Sequence, residues 1–192
     1  LNSDNIYLAV PCDVTSYDQI KALVEKSLQA FERIEVLINN AGTASKIGLL
    51  QEMPREVIDT ILDTNLKGAI YMMQAVLPTM VEQQSGTIIN INSMAGKQAY
   101  PYWSVYDASK FGLRAVTEAV AEEQRQNNIK VVGIYPGAVD TPIWNPLETD
   151  LEPKRDGMLD ADMVADTVCY VLKQPEKAYI PEVTLQPLKP AL

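Results

Sequence analysis

The sequence predicts a doubly wound α/β fold, in which helices cover both faces of a parallel β-sheet. Short and almost wholly apolar runs alternate with longer stretches of helical periodicity along the 192 residues, as is typical of parallel strands buried on both faces. No repeat or linker divides the chain, which indicates a single domain over residues 1–192. Small and polar residues follow several of the apolar runs, and sheets of this kind bind ligands at the carboxyl ends of their strands.

The same patterns place the elements in order. The first helix opens with Ser16 and Gln19 in capping-box spacing, and the second takes Pro54 into its first turn. The predicted strands are Ile6–Val10, Val36–Ile38, Thr87–Ile91, Lys130–Tyr135 and Ala178–Leu185. The predicted helices begin at Ser16, Pro54, Trp103 and Asp160, and the last three end near Gln84, Gln126 and Leu172. The buried face of the first helix is predicted to hold Ile20, Leu23, Val24 and Leu28.

Composition excludes several classes of function. A net charge of −9 argues against a nucleic-acid-binding surface, and no apolar run approaches the roughly 20 residues of a membrane-spanning helix. Cys12 and Cys169 lie far apart without metal-ligand spacing, so we expect core thiols of a cytoplasmic protein. The chain has no histidine, which excludes a Ser-His-Asp hydrolase and a histidine-ligated metal site and requires another residue type for acid/base chemistry.

Tyr106 and Lys110 are the best candidates for that chemistry. Their i, i+4 spacing near the start of the third helix puts both side chains on one face. A free tyrosine titrates near ~10, and an adjacent ammonium group stabilises the phenolate and lowers the pKa. Since two residues at a fixed spacing also occur by chance, the alternative is a half-buried tyrosine beside a surface lysine.

Three motifs at strand ends favour the chemical interpretation. Ser93 follows the strand Thr87–Ile91, where its hydroxyl could bind a substrate oxygen. The segment Asn39-Asn40-Ala41-Gly42 follows the second strand, and Pro136-Gly137-Ala138-Val139-Asp140-Thr141 follows the fourth. Each could be a turn by itself, because Asn, Gly and Pro are the usual turn residues. Three such segments at strand ends, in this order, indicate a binding edge.

Together these motifs resemble the short-chain dehydrogenase/reductase family in its single-domain, classical branch, from Asp13 to about Thr141. The resemblance implies a Rossmann-type sheet in a three-layer α/β/α arrangement. It also implies an oxidoreductase that moves a hydride between a nicotinamide cofactor and a small carbonyl or secondary alcohol substrate. The cofactor would be NADP or NAD, with NADP slightly favoured by its prevalence among the family's reductases.

The resemblance also implies roles for single residues. In the catalytic group, Ser93 orients the substrate carbonyl, and Tyr106 is the general acid/base. Lys110 binds the nicotinamide ribose and lowers the pKa of Tyr106, while Asn65 holds a water against the lysine. Cofactor binding is implied for Asp13, the Val14 backbone, Asn40, Ala41, Gly42, Pro136, Gly137, Val139 and Thr141. Asn65 could instead be a polar residue that bends its helix, and Asp13 a turn residue before the Ser16 helix.

One motif of the family is missing. Its glycine-rich Thr-Gly-x-x-x-Gly-x-Gly turn should precede Asp13, but the first glycine is Gly42 and no Gly-x-Gly occurs. The first two strands of the family's sheet are missing with it, as is the residue that distinguishes NAD from NADP. We therefore expect the functional gene product to hold roughly 45–55 further residues upstream, with a first strand and a phosphate-binding turn.

Two further features indicate a substrate cover and a subunit interface. The segment 142–159, with Ile143, Trp144, Met158 and Leu159, is expected to cover the substrate pocket, although Trp144 could simply anchor a loop. The helices at about 61–84 and 103–126 are apolar over more than one face, as Ile70, Met72, Met73, Val76 and Met80 illustrate. By resemblance, these helices would form a homodimer or homotetramer.

Two other functions are compatible with some of these motifs. A protein that binds the cofactor and reports redox state would not need Ser93, Tyr106 and Lys110 together, and turnover of ketones or aldehydes would separate it from an enzyme. An epimerase or dehydratase of the family's longer branch would share Tyr-x-x-x-Lys. That branch normally has a larger carboxyl-terminal substrate domain than the roughly fifty residues after Thr141 allow.

Overall fold

A four-stranded parallel sheet forms the centre of the computed structural model, which describes residues 7–145 and 155–189. Its strands are β1 (Val36–Asn39), β2 (Gly86–Ile91), β3 (Ile129–Pro136) and β6 (Glu182–Leu185), in the spatial order β1-β2-β3-β6. Two short strands, β4 (Val139–Asp140) and β5 (Leu159–Asp160), form a separate parallel pair. Because the sheet is wholly parallel, the carboxyl ends of its strands meet at one edge.

Helices cover the sheet on both faces, as the doubly wound fold class predicts. They are α1 (Tyr17–Phe31), α2 (Arg55–Leu62), α3 (Gly68–Gln83), α4 (Ser104–Gln124) and α5 (Ala161–Leu172). On one face, α1, α3 and α4 pack on a core that includes Leu37, Ile88 and Val131. On the other face, α5 packs through Val168 and Val171 on Ile89, Val132 and Ile134. Alternate residues of β2 and β3 therefore belong to opposite cores, and β3 is buried along almost its whole length.

A polar seam crosses the apolar core beside the sheet. The amide of Asn90, which is fully buried in β2, accepts a hydrogen bond from Asn39 Nδ2 at 2.8 Å. The same amide donates to Thr117 Oγ1 on α4 at 2.8 Å. Thr117 in turn donates to the Leu113 carbonyl. Because Asn39, Asn90 and Thr117 lie on three different elements, their hydrogen bonds fix β1, β2 and α4 relative to one another.

The predicted strand Ile6–Val10 is wrong over its described residues. Residues 7–10 form no strand, and Tyr7 and Leu8 are 77% and 47% exposed. A strand requires a neighbour for its ladder of backbone hydrogen bonds. Among residues 7–145 and 155–189, β1 pairs with β2 and with no strand on its other side.

Three smaller predictions also need correction. Gln19 accepts a hydrogen bond from the Asp13 backbone N–H instead of completing a capping box, and the Ser16 side chain does not cap α1. Cys169 is exposed on α5 and is not a core thiol, whereas Cys12 is partly buried. The last strand begins at Glu182 and not at Ala178, because the preceding Pro181 has no N–H to donate to a ladder.

The predicted second helix consists of three pieces. Between α2 and α3 the chain forms a π-helical turn, Asp63–Lys67. Three of the five apolar residues that indicated a subunit interface, Met73, Val76 and Met80, are buried in this chain's own core. Most of the apolar surplus of α3 is thus used inside the chain, which weakens the sequence argument for a partner on this helix.

We predict that Asn90→Ala lowers the free energy of unfolding by about 3 kcal/mol, because it leaves buried polar groups of the seam without partners. Ile88→Val, in the same strand and equally buried, is the matched control and should cost about 1 kcal/mol. Urea denaturation measures both values. A loss for Asn90→Ala no greater than that for Ile88→Val would contradict a stabilising role of the seam.

Candidate active site

A cavity of about 970 Å³ lies at the carboxyl edge of the sheet. Its floor includes Ile38, Ile91 and Pro136, which lie at or next to the ends of β1, β2 and β3. The volume is at the upper end of what ordinary ligand pockets span. The cavity therefore lies where the parallel topology predicts a ligand.

Most of the sequence-predicted site residues meet in this cavity. Nine of the predicted residues line it: Asn40, Gly42, Ser93, Tyr106, Lys110, Pro136, Gly137, Val139 and Thr141. Four others, Asp13, Val14, Ala41 and Asn65, lie outside its wall. The three strand-end motifs thus converge with the Tyr-x-x-x-Lys helix, although they are separated by up to a hundred residues in the chain.

Ser93 and Tyr106 both line the cavity, and their hydroxyl groups are near enough to each other for the Ser93 hydroxyl to lower the pKa of Tyr106. Ser93 also accepts a hydrogen bond from the Ala95 backbone N–H at 3.1 Å, which orients its side chain. Tyr106 lies in the first turns of α4, half-buried, with its phenol turned to the strand end. Two neighbouring hydroxyls can bind a single oxygen atom of a ligand together.

Asn92 connects the backbone next to Ser93 with the helix that holds Tyr106, and the sequence patterns did not indicate this role. Its Oδ1 accepts from the Ser93 backbone N–H at 2.9 Å, and its Nδ2 donates to the Lys110 carbonyl at 3.2 Å. A Cβ added to Gly96 would lie 2.6 Å from Asn92 Oδ1, so only glycine allows this close contact. A polar residue at the end of an apolar strand is the signal that identified Ser93, and it applies equally to Asn92.

Lys110 is almost completely buried, with 5% of its surface exposed. Its Nζ donates to the Ile91 carbonyl at 3.2 Å and lies 5.7 Å from the centre of the Tyr106 ring. Burial lowers the pKa of Lys110 from 10.5 to about 8, because the charged form loses hydration. The alternative of a surface lysine is excluded.

The expected lowering of the Tyr106 pKa is not found. Burial raises the pKa of Tyr106 to about 12, the hydrogen bond with Ser93 opposes this, and the charge of Asp107 adds to it. Loss of hydration is the largest cause of this shift, and it acts on Lys110 as well, where it disfavours the charged form. Tyr106 consequently keeps its proton at neutral pH and can act as a donor.

Asn65 lies behind the cavity, in the π-helical turn between α2 and α3. Turns of this type are frequent at functional sites. Its side chain is buried and clamps Thr43, accepting from the Thr43 N–H at 2.7 Å and donating to the Thr43 carbonyl at 2.8 Å. It also donates to Ser109 Oγ at 3.1 Å. The side chain thus holds the segment after Gly42 against α4.

Asp13 and Val14 form a turn beside the first helix. The Asp13 carboxylate accepts hydrogen bonds from the Thr15 backbone N–H at 2.9 Å and from Thr15 Oγ1 at 2.8 Å, and these bonds lower the pKa of Asp13. Val14 packs against Gly68, where an added Cβ would lie 2.8 Å from Val14 Cγ2. The geometry matches the turn interpretation of Asp13.

The segment 142–159 is described over residues 142–145 and 155–159, and residues 146–154 lie outside the described part of the chain. Ile143 and Trp144 line the cavity, as expected of a cover. Trp144 Nε1 also donates to the Val139 carbonyl at 2.7 Å. Trp144 is therefore both a loop anchor and part of the wall.

Three further parts of the wall had no signal in the sequence analysis. They are Gln98, Tyr100 and Trp103 in the loop before α4, the α5 residues Ala161, Val164, Ala165 and Val168, and the terminal segment Gln186–Lys189. The apolar periodicity of α5 indicates only a buried face and not what the face contacts. The position of these wall residues depends on how α5 and the segment Gln186–Lys189 cross the edge of the sheet.

The residues present fit a nicotinamide dinucleotide. A lysine ammonium has three donors, and the hydrogen bond found for Lys110 within the described residues uses one of them. A Cβ added to Gly42 would lie 3.9 Å from Lys110 Nζ and 3.5 Å from Asn65 Oδ1, so Gly42 leaves room next to the ammonium. Donors of this kind suit ribose hydroxyl groups. In the described part of the chain, no cluster of three metal-ligating side chains occurs, and no helix is long and apolar enough to cross a bilayer.

The shifted pKa of Lys110 predicts a dependence of stability on pH. Between about pH 8 and 10.5 the unfolded chain binds more protons than the folded chain, so the free energy of unfolding should rise with pH in this window, by up to ~3 kcal/mol. Tyr106 opposes the rise only above pH 10. Lys110→Met should abolish the rise, and Lys173→Met, an exposed lysine at the end of α5, is the control. If the free energy of unfolding changed with pH in the same way for the wild type and Lys110→Met from pH 7.5 to 10, the lowered pKa of Lys110 would be contradicted.

Comparison with known proteins identifies the family. The family model described as short chain dehydrogenase matches residues 2–152. An uncharacterized oxidoreductase of Staphylococcus aureus (strain MW2) is 34% identical over 193 residues, which cover 98% of this chain and 79% of that protein.

Solved structures agree with this result. A metagenomic short-chain oxidoreductase in complex with NADP is 31% identical with a TM-score of 0.78, over 93% of this chain and 73% of that one. Serine dehydrogenase from Escherichia coli is 31% identical with a TM-score of 0.81, over 95% and 76% of the two chains. The helix-flanked parallel sheet is thus a Rossmann-type fold, and the chain belongs to the short-chain dehydrogenase/reductase family of oxidoreductases.

Proposed function

We propose that this protein transfers a hydride between a nicotinamide cofactor and a carbonyl or secondary alcohol substrate, with Tyr106 as the general acid/base. One observation supports this most directly. Ser93 and Tyr106 line the cavity together, and the buried ammonium of Lys110 lies next to the Tyr106 ring. The site belongs to the 1–192 domain as a whole, since its residues come from three strand ends and a helix.

In the direction of reduction, Ser93 and Tyr106 both donate hydrogen bonds to the carbonyl oxygen of the substrate. A bound nicotinamide cofactor would supply the hydride to the carbonyl carbon. Tyr106 then gives its proton to the oxygen, and the high pKa of Tyr106 keeps that proton available at neutral pH. Pre-placed donors at the oxygen stabilise its developing negative charge by ~3–4 kcal/mol each.

Lys110 has two tasks in this proposal. Its ammonium binds the ribose next to the nicotinamide, and its charge makes ionisation of Tyr106 easier when the reaction runs as an oxidation. Lys110 and a water held near Asn65 would return the proton to Tyr106. Asn65 contributes through its position, because its side chain is occupied by Thr43 and Ser109.

The residues that surround the rest of the cavity would hold the cofactor. Asn40, Ala41 and Gly42 would bind near the ribose of the adenosine, and Pro136, Gly137, Val139 and Thr141 would hold the carboxamide of the nicotinamide. Asp13 and Val14 would take the adenine from outside the cavity wall. NADP is slightly favoured over NAD by its prevalence among the family's reductases, and similar structures contain NADP or NADH.

The substrate we propose is small or medium in size and partly apolar. Aromatic and aliphatic side chains cover the side of the cavity next to Ser93 and Tyr106, among them Trp103, Ile143 and Trp144. Such a wall favours a hydrophobic group next to the carbonyl.

Substitution of the acid/base group tests the function. Tyr106→Phe should leave the fold and the affinity for NADPH intact while kcat falls by ~10² or more, because the proton donor is lost. Lys110→Ala is the contrasting variant and should impair kcat and NADPH binding together. Both are measured by NADPH oxidation with a panel of ketones and aldehydes and by fluorescence titration of the cofactor. Near-normal turnover by Tyr106→Phe would reject the assignment.

We further propose a homodimer or homotetramer that assembles through the helices at 61–84 and 103–126. The exposed ring of Phe111, which is 40% accessible on α4, supports this interface. Light scattering at micromolar concentration should give a multiple of the chain mass, and Phe111→Glu should shift it toward one chain. Tyr170→Glu, at an exposed aromatic residue on α5, is the control. A monomer mass for the wild type would refute the assembly.

A further inference from the structure

The loop Tyr100–Trp103, directly before the catalytic helix α4, has an unfavourable backbone conformation. Tyr102 has a φ of 71°, in the left-handed region that a bulky side chain rarely adopts. Such a conformation persists only where the surrounding contacts impose it, and it often occurs at binding sites. The contacts that impose it here can be identified.

The side chain of Asp107 makes one of these contacts, a hydrogen bond to the backbone of the loop. Its Oδ2 accepts a hydrogen bond from the Tyr100 backbone N–H at 2.7 Å. Backbone bonds complete the arrangement, from Trp103 N to Tyr100 O at 3.2 Å and from Asp107 N to Trp103 O at 2.8 Å. Gly48 N also donates to Tyr102 O at 2.9 Å. A carboxyl group on α4 thus ties the start of the loop to the helix that holds Tyr106.

The burial of Asp107 is costly. Only 5% of its surface is exposed, and its Oδ1 has no hydrogen-bond partner within residues 7–145 and 155–189. Buried carboxyl groups are rare unless fully paired, because they lose hydration. An apolar residue at this position of α4 would pack at lower cost, so the bond to Tyr100 accounts for the aspartate.

The clamped loop forms the aromatic wall of the cavity. Tyr100 and Trp103 both line it. The Trp103 ring contacts the Tyr106 ring edge-to-face at 5.5 Å between centres and the Trp144 ring at 5.9 Å. A shift of the loop would therefore move the wall relative to the hydroxyl that we assign to proton transfer.

We propose that Asp107 is a positioning residue for substrate recognition. Its carboxyl group holds the strained Tyr100–Trp103 loop in the conformation that places Trp103 and Trp144 against the apolar part of a carbonyl substrate. This inference rests on the proposed oxidoreductase function for the identity of the ligand. The clamp itself rests on the geometry of the loop alone.

Tryptophan fluorescence tests the clamp without any turnover. Trp103 and Trp144 are the two tryptophans of the chain, so Trp144→Phe leaves Trp103 as the single reporter of the loop. In this background, Asp107→Ala should raise the acrylamide quenching constant about twofold or more, because the loop is released. Asp107→Asn should keep the wild-type value, since its amide oxygen can still accept from the Tyr100 N–H. Glu122→Gln, exposed on the same helix, is the control.

Tyr102→Gly keeps the test decisive if Asp107→Ala fails to fold. Glycine adopts a positive φ without steric cost, so the double variant Asp107→Ala/Tyr102→Gly should recover a folded chain with a mobile loop. Unchanged quenching in Asp107→Ala would overturn the proposal. So would a double variant that stays unfolded.

Kinetics test the role in recognition. With acetophenone as the probe, Asp107→Ala should raise KM about tenfold while the Kd for NADPH stays unchanged. With acetone, which is too small to fill the space beside the aromatic wall, KM should change little. Asp107→Asn should restore the acetophenone value. An equal loss of kcat for both ketones would indicate a merely structural role and reject the proposal. If neither ketone is turned over while the quenching difference is present, the proposed function fails and the clamp stands.

Discussion

The contact between the end of β2 and the start of α4 is the constraint on which the site depends. Asn92 bonds the backbone of Ser93 on one side and the Lys110 carbonyl on the other. Gly96 allows the loop to approach the helix to within a distance that no other residue would permit. This contact brings a strand-end hydroxyl to a helix phenol, so the distance between two residues on different elements is set by hydrogen bonds and not by loop flexibility.

Burial sets the chemistry of the pair that this contact assembles. Loss of hydration lowers the pKa of Lys110 to about 8 and raises the pKa of Tyr106 to about 12. Both shifts favour the uncharged forms, so the site makes a stable neutral phenol and an ammonium that exchanges its proton near physiological pH. An acid that holds its proton at neutral pH suits the reduction of a carbonyl. The same desolvation strengthens every hydrogen bond offered to a developing charge.

Sequence patterns were sufficient for much of the fold and for the centre of the site. The α4 helix and its Tyr106–Lys110 pair follow from local periodicity, and the central strands β2 and β3 follow from apolar runs that are buried on both faces. The sequence patterns failed at residues 7–10, because this strand-like segment has no neighbouring strand to pair with among the described residues. They also gave the wrong direction for the Tyr106 pKa, because spacing indicates that an ammonium is near and does not indicate how much water either group loses.

By itself, the sequence determined the fold class, the family and the identities of Ser93, Tyr106 and Lys110, since these depend on periodicity and on motifs that are local in the chain. Only the tertiary structure decided what surrounds them. The aromatic wall, the α5 face and the roles of Asn92 and Asp107 depend on contacts between elements. A single polar residue on an apolar face has no periodic signal, and its partner is a backbone group that every residue possesses. Such contacts become visible when the chain is folded, because they depend on distance in space and not on separation along the sequence.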